Sequence, residues 1–167
     1  GNALVVESGK TRVMMDCGFT ITETKARLEI AGLVPSDLAA IVVTHEHDDH
    51  IGGVARLARR HSIPVWLTHG TLTGFEALFD GIGGLHVIDN YRSFAVADLQ
   101  VDPFPVPHDA REPAQYVFGD GTRKLGVLTD TGCSTPHIET MLSGCDALVL
   151  ECNHDPAMLR VSSYPQK

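Results

Sequence analysis

Six consecutive residues concentrate more metal-binding chemistry than any other part of this sequence. The segment 45–50 reads His-Glu-His-Asp-Asp-His, so three imidazoles and two usable carboxylates follow one another closely. Soluble proteins rarely gather so many titratable groups unless a cation offsets their mutual repulsion and lost hydration. Imidazole and carboxylate ligands suit zinc, manganese or iron, whereas the lack of a paired thiolate argues against a structural cysteine-type zinc site. The segment therefore predicts a metal site.

The residues just before this segment predict where its side chains lie. Residues 39–44 form an apolar run typical of a buried strand, so the segment begins where the strand's end opens into a loop. His45 and His47 alternate and can point to one side of an extended chain, while Asp49 and His50 follow in a turn that can present them to a second point nearby. The spacing is not the helical HExxH pattern, because Asp49 stands where the second histidine would be.

Two more candidate ligands follow predicted strands further along the chain. His108 closes the run Pro105–His108, 58 positions after His50, and Asp130 ends the run 126–130 just before a Thr-Gly loop. HxHxDH after a strand, followed by this histidine and this aspartate, resembles the metallo-β-lactamase fold superfamily. The resemblance implies an α+β fold, an αββα sandwich, with a dinuclear metal site between the edges of its two sheets.

Carried over residue by residue, the resemblance implies a ligand set for two divalent cations, Zn or Mn, with Fe also possible. His45, His47 and His108 would hold the first metal. Asp49 and His50 would hold the second, and Asp130 would bridge both. A further histidine that the superfamily usually supplies to the second metal would come from a later loop, beyond Lys167. Asp16, at the end of a predicted strand, matches an aspartate that steadies a ligand histidine.

The implied mechanism is hydrolysis by a hydroxide that bridges two metals roughly 3.5–4 Å apart, and it needs no serine or cysteine nucleophile. Asp49 and Asp130 would take part in catalysis as well as in binding. His154 follows a predicted strand end on the catalytic side, so it could contact substrate or transfer a proton. A structural hydrogen bond is an equal alternative for His154.

Two features narrow the substrate within the superfamily. Class B1 β-lactamases have cysteine at the place of Asp130 and lack the histidine at position 50. The combination of His50 and Asp130 resembles instead the pattern of phosphodiesterases, nucleases and thioester hydrolases. Gly1-Asn2, the segment 15–18 and the segment 151–155 resemble the bacterial YycJ/WalJ-like branch. That resemblance implies a metal-dependent exonuclease acting on DNA. Three alternatives stay open: a thioester hydrolase of the glyoxalase II type, an iron-dependent persulfide dioxygenase, and a non-catalytic scaffold that keeps metals for stability.

Bulk composition sets limits on these hypotheses. The chain has 167 residues, 43% of them hydrophobic, and a net charge of −8, which by itself gives nucleic-acid binding no support. No apolar stretch approaches the roughly 20 residues that span a bilayer, so we expect no membrane association. Four scattered cysteines favour free thiols and a cytoplasmic location. We expect a single domain over residues 1–167, incomplete at both ends, and the sequence leaves its oligomeric state open.

The remaining pattern predicts the elements that position these residues. Residues 3–8 and 11–16 form a hairpin, Thr20 begins a helix that stops near Gly32, and the helical period from Ile51 to Ala58 follows the histidine-rich segment. Residues 70–79 form a further helix, and the chain from Leu85 is rich in short strands. Two mostly β halves with interspersed helices favour one sandwich, with its sheets inside and its helices outside.

Overall fold

The computed structural model of the chain describes residues 1–152 and 155–161. Within this part, ten strands form two five-stranded sheets. The first sheet has the order β1-β2-β3-β4-β5, with strands Leu4–Ser8, Thr11–Met15, Ala40–Val42, Val65–Thr68 and Leu85–Ile88. The second has the order β10-β9-β8-β7-β6, in which β6 to β10 are Phe94–Val96, Leu99–Pro105, Ala114–Gly119, Lys124–Leu128 and Ala147–Leu150.

Both sheets mix parallel and antiparallel pairs. β1 and β2 form the predicted antiparallel hairpin, and β2 to β5 are parallel. In the second sheet β9 and β10 are parallel and the other pairs are antiparallel. The helices α1 to α7 are Ile21–Ile30, Asp48–Ile51, Val54–His61, His69–Leu72, Glu76–Phe79, Pro136–Leu142 and Pro156–Val161, and a 3₁₀ turn covers Pro35–Asp37. No helix among the described residues is long and apolar enough to cross a bilayer.

Alternating side chains on the strands build the layers. On β2, Val13 and Met15 pack between the two sheets with Tyr116 and Phe118 of β8. Met14, between them in sequence, points to the opposite face and packs in the outer core of the first sheet. That outer core receives one buried face each of α1 and α3, through residues that include Leu28, Val54, Leu57 and Ala58.

The second sheet has a smaller outer core. Phe104 and Val117 point away from the sheet interface and pack with Ile138 of α6. Helices therefore cover the outer face of each sheet, and the predicted αββα sandwich is confirmed.

Local signals located both ends of α1 correctly. The Thr20 hydroxyl accepts a hydrogen bond from the Glu23 amide at the start of α1, and Gly32 follows the last turn with a φ of +73°. The single helix predicted for residues 70–79 was wrong. It is divided into α4 and α5 by Gly74, whose φ of +84° lies outside the helical region.

The turn predicted for Asp49 and His50 was also wrong. These residues lie in the short helix α2, which has acidic residues in its first turn, where the helix dipole stabilises them. Gly52 and Gly53 separate α2 from α3. A Cβ at Gly53 would lie 2.1 Å from the carbonyl oxygen of Phe19, so the chain passes too close here for any larger residue.

Candidate metal centre

Two hydrogen bonds join the sheets where the histidine-rich segment begins. The hydroxyl of Tyr116, on β8, donates to the carbonyl oxygen of Val43 at 2.6 Å. The amide of Ala114, at the start of β8, donates to the carbonyl oxygen of Thr44 at 2.9 Å. The ends of β3 and β8 are therefore fixed against each other, and the residues that follow β3 lie at the junction of the two sheets.

Three histidines from two distant segments meet at this junction. The ligand nitrogens of His45, His47 and His108 lie within 4.8 Å of one another. Their ring centroids are 4.6 to 4.9 Å apart, and each pair of rings is close to perpendicular. Such rings present their nitrogens to a common point, as imidazole ligands around one cation do.

The hydrogen-bond network assigns the protons of two of these rings. Nδ1 of His45 lies 2.9 Å from the hydroxyl of Thr44, which itself donates to Asp16, so Nδ1 is the donor. Nδ1 of His108 lies 3.1 Å from a carboxylate oxygen of Asp109 and is likewise the donor. Each ring therefore keeps a lone pair on Nε2, and the two Nε2 atoms face each other at 3.2 Å. Two facing lone pairs repel, and a cation between them would remove the repulsion.

The pKa values of these rings favour the neutral form that binds metals. Burial, together with the neighbouring His50, His108 and His47, lowers the pKa of His45 to about 2. His45 is only 1% exposed. Burial also lowers the pKa of His108, against the opposing charges of Asp109 and Asp130. Near neutral pH both side chains are therefore ready to bind a cation without first losing a proton.

A second group of donors adjoins the first. Nε2 of His50 lies 3.4 Å from a carboxylate oxygen of Asp130 and 3.6 Å from one of Asp49. The rings of His45 and His50 are 4.1 Å apart, so the two groups are in contact. The Asp130 carboxylate favours the protonated forms of both His50 and His108, so it acts electrostatically on both groups.

Asp16 orients His50, a member of the second group, by contacting the ring nitrogen that points away from the carboxylates of Asp49 and Asp130. Its carboxylate accepts hydrogen bonds from the amide and the hydroxyl of Thr44, and from Nδ1 of His50, each at 2.8 Å. Burial raises the pKa of Asp16 more than these bonds lower it. Burial lowers the pKa of His50, but the hydrogen bond and charge of Asp16, with Asp130 and Asp49, outweigh it and raise that pKa overall. His50 thus keeps its proton on Nδ1 and turns Nε2 toward the carboxylates.

The loop that carries Asp130 is held from two sides. The amide of Asp130 donates to a carboxylate oxygen of Glu151 at 2.7 Å. The amide of Gly132 donates to the carbonyl oxygen of Pro107 at 2.7 Å, which ties this loop to the loop that carries His108. Asp130 itself has a φ of +49°, a left-handed conformation that aspartate tolerates better than most residues. These contacts hold together the chain segments that follow β7, β9 and β10 in the second sheet.

The structure therefore brings His45, His47 and His108 into one group with the spacing of metal ligands, and it places Asp49 and Asp130 beside His50, which adjoins that group. The facing lone pairs of His45 and His108 and the adjoining carboxylates fit cations at this position. His154, the further catalytic candidate, lies outside the described residues.

Sequence similarity agrees with this arrangement. The sequence profile of the Beta-lactamase superfamily domain matches residues 11–162. The chain belongs to this family. The predicted membership of the metallo-β-lactamase fold superfamily is therefore confirmed.

Two relatives of this β-lactamase-superfamily chain come from bacteria. The chain is 36% identical to exodeoxyribonuclease YycJ of Bacillus anthracis, over 99% of the chain and 63% of that protein. It is 30% identical to exodeoxyribonuclease WalJ of Streptococcus pneumoniae, over 98% of the chain and 62% of that protein. The predicted resemblance to this branch is confirmed, and the chain spans less than two thirds of the length of these relatives.

A solved structure shows the same fold. The metallo-β-lactamase fold protein YhfI from Bacillus subtilis superposes with a TM-score of 0.77 at 19% sequence identity, covering 92% of this chain and 64% of that one.

Residues that orient the ligands of this β-lactamase-superfamily chain were harder to find from sequence. Thr44 links His45 to Asp16. Its sequence position, a threonine at the end of a predicted strand, does not by itself indicate this role. Glu46 lies between two predicted ligands, and its carboxylate accepts a hydrogen bond at 2.9 Å from the amide of Arg111, in the loop that follows His108. The position of Glu46 within the histidine-rich segment was the one signal in the sequence that pointed to a role for it. Arg111, 65 positions away, carried no such signal.

Proposed function

We propose that this chain contributes a dinuclear metal centre that hydrolyses phosphodiester bonds in DNA, as an exonuclease. The observation that carries the proposal is the position of Asp130. Its carboxylate lies 3.4 Å from His50 of one donor group, and its charge acts on His108 of the other. A carboxylate shared between two cations draws them together, which suits in-line displacement at phosphorus.

The ligands divide between the two cations as the resemblance implies. His45, His47 and His108 would hold one, Asp49 and His50 the other, and Asp130 both. Zinc or manganese suits these donors, and iron is compatible with them. Bound cations would polarise the phosphoryl oxygen and activate water for attack.

The protein's own groups have separate tasks around that chemistry. Thr44 accepts a hydrogen bond from Nδ1 of His45 and Asp16 accepts one from Nδ1 of His50, so both rings are oriented with Nε2 toward the centre. Glu151 fixes the backbone at Asp130. The side chain of Asp49 is 60% exposed, so it can reach solvent and accept a proton from the attacking water. We keep His154 as a candidate proton donor to the leaving group.

The substrate class rests on the relatives. YycJ and WalJ are both named exodeoxyribonucleases, and the similarity to them extends over almost the whole chain. Because the chain covers less than two thirds of each relative, DNA as substrate is part of the proposal. The free cysteines of the described residues favour a reducing compartment, and we propose a cytoplasmic location.

Hydrolysis of end-labelled linear duplex DNA in the presence of manganese tests the proposal. We expect the full chain to release nucleotides, and His108→Ala to abolish release while the protein stays folded. His86→Ala, which removes a histidine stacked on Trp66, is the matched control and should keep parental activity.

Three other outcomes would reject the assignment. Turnover of an acylglutathione thioester without cleavage of DNA would indicate a thioester hydrolase. Preference for RNA would reject DNA as the substrate. One iron per chain in protein purified without added metal would contradict the hydrolytic scheme and favour persulfide oxidation.

A further inference from the structure

The side chain of Asn2 lies against the second donor group. Its amide nitrogen Nδ2 is 2.9 Å from a carboxylate oxygen of Asp49 and 2.9 Å from Nε2 of His50. These are the two atoms that the proposed function assigns to the second cation alone. Sequence analysis gave Asn2 no role beyond its resemblance to one branch of the family.

Backbone contacts hold Asn2 in this position without help from its side chain. Its amide donates to the carbonyl oxygen of Asp49 at 2.6 Å, and its carbonyl oxygen accepts from the amide of Gly18 at 2.8 Å. A Cβ at Gly18 would lie 1.6 Å from the carbonyl oxygen of Asp49, so the three segments are packed as closely as backbone allows. The side-chain amide is therefore free to serve another purpose.

The atoms that face the side-chain amide of Asn2 indicate whether its nitrogen or its oxygen points toward the second donor group when a cation is bound. Because Nδ1 of His50 donates to Asp16, Nε2 is the ring nitrogen that can offer a lone pair to a cation. An amide N–H that points at Nε2 occupies the lone pair that a cation needs. The nitrogen and oxygen of an asparagine amide are nearly the same size, and their orientation follows from the surrounding network. If the amide flips, so that Oδ1 and Nδ2 exchange places, Oδ1 of Asn2 faces the same point as the carboxylate of Asp49 and Nε2 of His50.

We propose that Oδ1 of Asn2 is a ligand of the second cation. This inference rests on the proposed two-metal centre, and it makes the two halves chemically different. The first cation has three imidazole ligands besides Asp130. From residues 1–167 the second has oxygen donors from Asn2, Asp49 and Asp130 besides the imidazole of His50, and oxygen donors suit harder cations such as Mn²⁺.

Titration of the metal-free full chain with Mn²⁺, followed by electron paramagnetic resonance and elemental analysis, tests the inference. Asn2→Ala keeps the backbone contacts and removes the amide, so the second Mn²⁺ should bind at least about tenfold more weakly while the first binds as in the parent. Asn2→Asp keeps an oxygen at the same place and should retain both cations. Gln100→Ala removes an amide that bonds Asp102, outside the centre, and should behave as the parent does.

Three results would overturn the inference. The first is parental affinity of Asn2→Ala for the second Mn²⁺. The second is loss of that cation in Asn2→Asp as well, which would show that the amide N–H rather than an oxygen is needed. The third is a parent chain that binds a single cation. Two bound cations without cleavage of DNA would leave the inference standing and reject only the nuclease.

A measurement on the unaltered chain covers the case in which Asn2→Ala does not fold. In protein labelled with ¹⁵N-asparagine, the side-chain resonance of Asn2 should shift with the second equivalent of Zn²⁺ and not with the first. A resonance unchanged after two equivalents would exclude Asn2 as a ligand.

Discussion

The carboxylate of Asp16 lies 2.8 Å from Nδ1 of His50, and both side chains are almost fully buried. Asp16 follows β2 and His50 lies in α2, 34 positions apart in sequence. Since the same carboxylate also binds the amide and hydroxyl of Thr44, one residue sets the orientation of His50 directly and of His45 through Thr44. Asp16 therefore supports both halves of the candidate centre.

Asp16→Asn should weaken metal binding by about 10- to 100-fold, since a carboxylate that orients a ligand histidine has this effect in other metal sites. The replacement has the same shape, and asparagine tolerates the φ of +59° at this position, so the fold should persist. Its amide would donate where a carboxylate oxygen now accepts, and His50 would lose its fixed tautomer. Calorimetric titration with Zn²⁺ measures the change.

Asp102→Asn is the matched control for Asp16→Asn, because Asp102 accepts a hydrogen bond from Gln100 away from the centre. It should bind Zn²⁺ as the parent does. Equal Zn²⁺ affinity of Asp16→Asn and the parent would show that the Asp16–His50 contact has no role in binding.

Gly18→Ala should lower the free energy of unfolding by about 3 kcal/mol or more, because overpacked sites relax only by moving their backbone. Its new Cβ would lie 1.6 Å from the carbonyl oxygen of Asp49. Gly83→Ala, with no atom within 4 Å of the added Cβ, should change stability by less than about 0.5 kcal/mol. Urea denaturation of the two variants compares them, and similar stabilities would contradict the packing described for residues 1–2, 17–18 and 49–53.

Glu151→Ala should reduce hydrolytic activity about tenfold, as loss of a residue that orients a ligand does elsewhere. The carboxylate of Glu151 holds the amide of Asp130, so its removal lets the loop relax from its left-handed conformation. Glu151→Gln keeps an oxygen acceptor and should lose less activity. Glu139→Ala, which removes a carboxylate bonded to Ser134, serves as the control. Equal losses in Glu151→Ala and Glu139→Ala would rule out a specific role for Glu151.

The metal-free protein should lose stability as the pH falls from 6.5 toward 5, in part because of His45. The pKa of His45 is about 2 in the folded state, against 6.5 for an unperturbed histidine. Below pH 6.5 this side chain therefore binds a proton in the unfolded chain but not in the folded one. One such group contributes up to about 1.4 kcal/mol per pH unit. The raised pKa of His50 acts in the opposite direction, because its stabilising contribution is lost as the pH rises.

A comparison of variants isolates the contribution of His45. His45→Gln should show a shallower loss of stability between pH 6.5 and 5 than the parent, whereas His69→Gln, at an exposed position, should follow the parent. If the pH dependence of His45→Gln equals that of the parent, the buried neutral state of His45 is incorrect.

The sequence predicted the sandwich and the assembled donors because both depend on strong local signals. Short strand-like runs separated by turn residues, and a histidine-rich segment after β3, are readable without tertiary information. His108 and Asp130 were recognised as candidates because each follows a predicted strand, and the resemblance to the metallo-β-lactamase fold superfamily implied that they join the histidine-rich segment.

Contacts between segments that are distant in sequence could not be predicted from local sequence patterns. Asn2 meets Asp49 only because Gly18 allows three backbones to approach closely, and neither residue signals this in its own neighbourhood. The helix expected for residues 70–79 failed for a local reason, since Gly74 adopts a positive φ and separates α4 from α5. α2 was missed because four residues give too little period to separate a helix from a turn.

Anomalous diffraction from crystals of the full chain soaked in Mn²⁺ tests the two-metal centre most directly. We predict two peaks, the first among His45, His47 and His108 and the second between Asp49 and His50, with Asp130 contacting both. A single peak, or ions bound elsewhere while these side chains stay unligated, would contradict the account.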